Sequence, residues 1–244
     1  MSQTPSGNSN IAKYISRFAL ALLILLPLSA LGSRFGLWPY TLGLLLLSVS
    51  MAGSLLIQVI CAFWLMRKPT GNAKSSLRKA SLYALPPLAI VATVLQNSSS
   101  GIALHDVSTD TDNPPAFIAL LKERGTNSNS TLYSQDKAHK QQQLYPKLSS
   151  VKNSLSQQQN FELALTTAKD MGLRIVDSDA NQGRIEAVDT TFWFGFKDDV
   201  VIRAKALRLD IRSVSRVGES DLGANANRIE QFIEKFRKGS SQQR

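Results

Sequence analysis

The chain has 244 residues and a net charge of +10, which would ordinarily raise nucleic acid as a partner. The distribution argues against it: residues 1–104 carry 8 basic residues and no acid, while residues 105–244 carry the other 20 basic residues and all 18 acids. The excess lies between apolar segments rather than on one accessible basic face, so no nucleic-acid partner is expected.

Three apolar stretches follow in order. Between Arg17 and Arg34 lie 16 uncharged residues, FALALLILLPLSALGS; between Arg34 and Arg67 lie 32; between Lys79 and His105 lie 25. A helix needs roughly 20 residues to cross the hydrocarbon core. The second stretch clears that length. The first is short, and snorkelling of Arg17 and Arg34 extends it. The third contains Pro86 and Pro87, which a membrane helix tolerates where neighbours satisfy the freed carbonyls. The first stretch, with Ala30-Leu31-Gly32 at its end, also has the form of a cleavable signal; an uncleaved anchor is expected, because the region before it is unusually long.

The loop RKPTGNAKSSLRK, residues 67–79, holds five basic residues, whereas the loop before the second helix holds only Arg34. The positive-inside rule places that basic loop in the cytoplasm with Lys13 and Arg17. Residues 105–244 then emerge on the far side, which in a bacterium is the periplasm. The only cysteine, Cys61, falls within the second helix, so the exported half has no disulfide and no thiol nucleophile. Ser50 and Ser54 have the small-xxx-small spacing of close helix packing.

In the exported half, residues 97–113 read as a polar tether. Asn113-Pro114-Pro115 marks a helix start for AFIALLKER, with Gly125 as its stop. Residues 134–159 are rich in Gln and Ser around LYPKL and read as extended. FELALTTAKDM places Phe161, Ala164, Leu165 and Ala168 on one helical face. Strands follow at 173–179 and 183–196 with a turn near Ala180–Gly183. In DDVVIRAKA, Val200, Ile202 and Ala204 alternate with Val201, Arg203 and Lys205; in LRLDIRSVSR, Leu207, Leu209, Ile211 and Ser213 alternate with Arg208, Asp210 and Arg212. A closing helix presents Leu222, Ala226, Ile229, Phe232, Ile233 and Phe236 on one face. The predicted class is α+β: N-terminal transmembrane helices, then helix, four strands and helix forming a small antiparallel sheet with helices on its apolar face. The expected divisions are 1–17 cytoplasmic, 18–96 membrane, 97–159 tether and irregular segment, 160–239 the exported domain and 240–244 a tail.

FWFGFKDDVVIRA, DIRSVSRVGESDLGANANRIEQFI and the upstream HDVSTDTDNPPAF together resemble a bacterial family of unknown function, numbered 1499, over about residues 105–237. The DDVVIR and RSVSRVG-x-SDLGANA-x-RI strings carry the resemblance. It implies a domain preceded by membrane helices, and no activity. Shorter members have a cysteine-containing segment near the domain start, which this chain lacks.

His105 and His139 are the only histidines and read as isolated surface residues. No spacing matches a metal site, and no cofactor is expected. Asp198 and Asp199 invite a paired-carboxylate mechanism, but within a strand successive side chains diverge. The alternative is ion pairing with Arg203, Arg212 or Arg216. Ser220 stands where a helix cap belongs, with Asp221 at the positive helix end. Asp221, Asn225 and Arg228 lie along one edge of the apolar stripe. Either they form a polar network locking helix to strand, or Arg212, Arg216, Asn225 and Arg228 line an anion-binding cleft. Two functions follow: a multi-pass inner-membrane protein whose periplasmic module binds or scaffolds an envelope partner, or an enzyme acting on an anionic envelope component through Asp198/Asp199 with Arg212/Arg216. The expected partners are the lipid bilayer and an anionic envelope ligand or another envelope protein.

Overall fold

A computed structural model describes residues 6–97 and 103–242. The chain divides into two compact units, Met1–Gln96 with Phe192–Gly195 and Asn97–Thr191 with Phe196–Arg244.

The first unit holds α1 (Ser6–Arg34), α2 (Tyr40–Met66) and α3 (Gly71–Asn97). All three are long and apolar enough to cross a membrane. The shortness expected of the first stretch does not apply, because Lys13 and Arg17 lie inside a helix of 29 residues. Pro27 in α1, and Pro86 and Pro87 in α3, sit within their helices without ending them. Small residues let α1 and α2 approach closely. Ser50 and Ser54 are fully buried, and Ser50 Oγ donates to the Leu22 carbonyl at 2.7 Å. A Cβ on Gly43 would stand 2.6 Å from the Ser29 carbonyl, so only glycine fits. Between α2 and α3, Gln58 and Ser81 exchange two hydrogen bonds at 2.9 and 2.7 Å.

The second unit is built on an antiparallel sheet of β1 (Asp106–Ser108), β2 (Val151–Lys152), β3 (Arg174–Asp179), β4 (Arg184–Thr190), β5 (Lys197–Lys205) and β6 (Arg208–Ser215). Its order is β1-β6-β5-β4-β3, with β2 also on β6. Four strands are present where four were expected, although the second, expected over 183–196, ends at Thr190 and Leu207, expected in the last, lies in the turn before it at φ of 65°; two short strands extend the β6 edge. Thus Asp106–Ser108, expected in a tether, is a buried strand paired with Arg212–Val214.

One sheet face packs α5 (Gln157–Asp170) and α6 (Ala224–Gln242). Ile185, Ala187, Val200, Ile202, Leu209 and Ile211 meet Phe161, Ala164 and Ala168 of α5, and Ala226, Ile229, Phe232 and Phe236 of α6. Each fully buried phenylalanine contributes about 2–3 kcal/mol by area. α5 starts at a capping box, Ser156 with Gln159, and stops at Gly172, where the Leu173 amide reaches back to the Ala168 carbonyl in a Schellman turn.

The opposite face, expected to be solvated, is covered. Phe117 and Leu120 pack on Val188, Val201 and Val214. The helix expected over AFIALLKER is only a 3₁₀ turn, Leu120–Lys122, and the Ile118, Ala119 and Leu120 amides at its start donate to the Glu186 carboxylate. Residues expected to be extended form α4 (Gln135–Leu144), capped by Ser134. α6 starts later than expected. Leu222, assigned to its apolar stripe, has φ of 53° and is 42% exposed, in the turn before the helix.

Candidate functional site

The nine polar residues singled out in the sequence fall on the two faces of the sheet. β5 alternation separates the adjacent aspartates: Asp198 pairs in register with Ser215 on the α6 side, and Asp199 with Val214 on the other.

On the α6 side, Arg228 is the hub. Its Nε donates to Asp189 at 2.8 Å and its Nη2 to Asp198 at 2.6 Å, while Nη1 donates to Ser213 Oγ and Asn225 Oδ1. Asn225, fully buried, accepts from Ser213 Oγ at 2.6 Å and donates to Ser215 Oγ and the His105 carbonyl. Every polar atom of this pair is matched, and the pair fixes the first turns of α6 against β5 and β6. The cap itself is Asp221 rather than Ser220: its two carboxylate oxygens accept the Gly223 and Asn225 amides, each at 2.8 Å. Ser220 Oγ accepts only from Leu222, at 3.3 Å. Burial raises the Asp221 carboxyl above its ordinary range, against the lowering effect of those amides.

On the far face lies a layer of ion pairs between the sheet and residues 106–133. Arg216 donates twice to Asp199 Oδ1, at 2.9 and 2.7 Å, while Arg124 takes the other oxygen. Arg212 grips both oxygens of Asp106 at 2.9 and 2.8 Å, reaches the Pro115 and Thr131 carbonyls, and lies between the rings of Phe117 and Tyr133, 5.2 Å from each. Arg203 and Arg208 share Asp110 and Asp210. Glu186, with no exposed surface, accepts the amides of Ile118, Ala119 and Leu120. Gln141 of α4 bonds the Ser108 amide and carbonyl and accepts the Tyr133 hydroxyl. Burial, and then the Asp106 charge, raise the Tyr133 phenol, which stays a neutral donor.

Of the arginines expected to pair with the aspartates, only Arg216 does so, with Asp199; Asp198 pairs instead with Arg228, while Arg203 takes Asp110 and Asp210 and Arg212 takes Asp106. Arg212 and Arg216 do not converge with Asn225 and Arg228, because the sheet lies between them. The four groups of the enzyme alternative likewise divide: Asp198 sits on one face, and Asp199, Arg212 and Arg216 on the other. Each of these six side chains is at most 9% exposed and bonded to a protein partner. Chemically the arrangement holds chain segments together and offers no paired carboxylates to a substrate. Among the described residues, no group of three or more His, Cys, Asp and Glu is placed to hold a metal ion. His105 Nδ1 lies 3.2 Å from the Glu219 carbonyl, and His139 is exposed on α4.

Sequence reasoning missed Asp106, Asp110, Arg124, Asp189 and Glu186. The available signal was valine at 188, 201 and 214, on the face otherwise occupied by charges. Three apolar residues there are unexpected on a solvated surface and mark a covered one.

The fold combines three helices long and apolar enough to cross a membrane with an α+β domain held by internal ion pairs. The chain belongs to the family described as Protein of unknown function (DUF1499), whose model matches residues 106–236, more than half its length. A search among curated proteins finds no match.

Proposed function

We propose that the protein is a multi-pass protein of the bacterial inner membrane whose α+β domain works in the periplasm as a binding or scaffolding module. The observation that carries this reading is the burial and ion pairing of Asp198 with Arg228, of Asp199 with Arg216 and of Arg212 with Asp106. Groups fixed in this way make a rigid support, whereas acid–base chemistry needs a titratable group within reach of substrate. The surface over the ion-pair layer supplies contact area: Ile118, Leu121 and Leu132 are 53%, 49% and 74% exposed. The topology rests on the five basic residues of 67–79.

Two cysteine variants of the full chain test the placement. The native Cys61 is buried within α2, so Ser75→Cys and Lys235→Cys, both at exposed positions, report separately. In intact cells with a permeabilised outer membrane, an impermeant maleimide is expected to label Lys235→Cys and to spare Ser75→Cys until the inner membrane is opened. The reverse pattern overturns the topology. A photoreactive residue in place of Leu132 then tests the module: a discrete protein adduct is expected, and its absence under conditions of full expression counts against binding.

A further inference from the structure

The α+β domain carries one conspicuous apolar projection outside the surface already discussed. Between β4 and β5 the chain reads TTFWFGF, uncharged from Thr190 to Phe196. Phe192 is 69% exposed and Trp193 is 54% exposed. Their rings meet edge to face, with centroids 5.3 Å apart at 84°. The loop is closed below them: the Thr191 amide donates to the Phe196 carbonyl at 2.8 Å, and the Phe196 amide donates to Thr191 Oγ1 at 2.9 Å. Gly195 turns the chain at φ of 70°. A firm hairpin thus presents a phenylalanine and a tryptophan to the surroundings, and exposing both to water is unfavourable.

We propose that Phe192 and Trp193 form an interfacial anchor that seats in the headgroup layer of the bilayer crossed by the chain's own helices. Two observations select lipid as the occupant. Aromatic side chains with an apolar body and, in tryptophan, one polar N–H favour the membrane–water boundary. The loop lacks any charge that would oppose entry, and Lys197, exposed just beyond it, is the residue type that meets headgroups. Tethering agrees with this: residues 98–103 separate the last helix from Leu104, and so few peptide steps reach no further than about 25 Å.

The inference rests on the membrane-spanning reading, and the test separates the two. The full chain is reconstituted in lipid nanodiscs with p-benzoylphenylalanine in place of Trp193, and in a second sample in place of Gln158, an exposed residue of α5. Irradiation is expected to give lipid adducts at 193 at least ten-fold above those at 158. A second measurement keeps native side chains at the tip: in a Trp38→Phe/Trp64→Phe variant, Trp193 is the only tryptophan, and lipids brominated near the headgroup are expected to quench it more strongly than lipids brominated near the chain end. Equal adduct yields at the two positions, or Trp193 emission unaffected by either lipid, overturns the anchor. In cells, adducts to protein alone also overturn it in favour of a protein partner. Alkaline extraction of the same membranes is the control. Release of the chain shows that the membrane-spanning reading has failed, whereas retention without lipid adducts shows that only the anchor has.

Discussion

Asp198 and Asp199 are adjacent in the chain, yet one carboxylate binds Arg228 of the closing helix and the other binds Arg216 beneath the far face of the sheet. The pair therefore acts as a two-sided rivet: one strand position fixes α6 and the next fixes the covering segment. Removing either arginine leaves a buried carboxylate without its main partner, which is the expensive way to break such a contact.

Glu186 shows how strongly the cover depends on a single side chain. Its carboxylate accepts three successive amides, two on Oε1 and one on Oε2. Glu186→Gln places an NH₂ group opposite one of those amides, so it behaves as a loss rather than as a conservative exchange. Both Glu186→Gln and Glu186→Ala are expected to destabilise the domain by about 2–4 kcal/mol. The check is limited trypsin digestion of the full chain: cleavage after Lys122 and Arg124 should accelerate before cleavage elsewhere. Unchanged cleavage at those two sites would show that the cover does not depend on Glu186.

Strand alternation made the α6-facing half of this domain legible, because Val200, Ile202 and Ala204 declare a buried face within five residues. The far face was harder to read. The partners of Arg212 and Arg216 lie far back in the chain, Asp106 for one and Glu123 and Arg124 for the layer around the other. A single sequence shows that opposite charges exist, not which distant ones meet. α4 was missed for a related reason: it has no apolar stripe and is held by Gln141, whose three hydrogen bonds have no periodicity to detect. At the start of α6, Leu222 satisfied the helical spacing, but Gly223, at φ of 86°, continues a left-handed turn that delays the helix.

Two glycines in the left-handed region separate backbone strain from lack of space. Gly172 has φ of 76° and nothing within 4 Å of a notional Cβ. Gly183 has φ of 64°, and its Cβ would stand 2.1 Å from the Ala204 carbonyl oxygen. Gly172→Ala should therefore cost only the conformational term, about 1–2 kcal/mol. Gly183→Ala must also displace β5 backbone, and should lower protection of the Ala204 amide, which donates to the Gly183 carbonyl at 2.7 Å. Hydrogen exchange on the full chain reads both: a larger loss for Gly172→Ala than for Gly183→Ala would contradict this account.

Arg212 and Asp106 should behave as a coupled unit. The guanidinium makes two bonds to the carboxylate and two to backbone carbonyls, between two aromatic rings. Lysine has neither the fork nor the planar surface, so Arg212→Lys is expected to lose about 3 kcal/mol, close to the loss for Arg212→Ala. In a double-mutant cycle with Asp106→Ala, the combined loss should fall short of the sum by at least about 1 kcal/mol. Exchange of the slowest β5 and β6 amides supplies the free energies. Strict additivity would mean that the two side chains contribute independently.

Asp221 gives the domain a pH dependence of definite sign. Burial holds its folded pKa above the unfolded value, so the folded state keeps the proton to higher pH. Its contribution to stability is then complete below about pH 4, the ordinary carboxyl range, and is lost as pH rises through the raised folded value. Asparagine retains one capping oxygen and cannot ionise. Asp221→Asn should therefore melt below the native protein at pH 4, where it lacks one of the two capping bonds to Gly223 and Asn225. The gap should narrow by pH 7, where the native protein carries a buried charge that the variant lacks. Asp221→Ala removes both bonds and should lose about 1 kcal/mol more than the asparagine variant. Near-UV circular dichroism melts of the full chain at the two pH values measure the gap. If it widens towards pH 7, the capping amides outweigh burial and Asp221 is ionised in the fold at lower pH than in the unfolded chain.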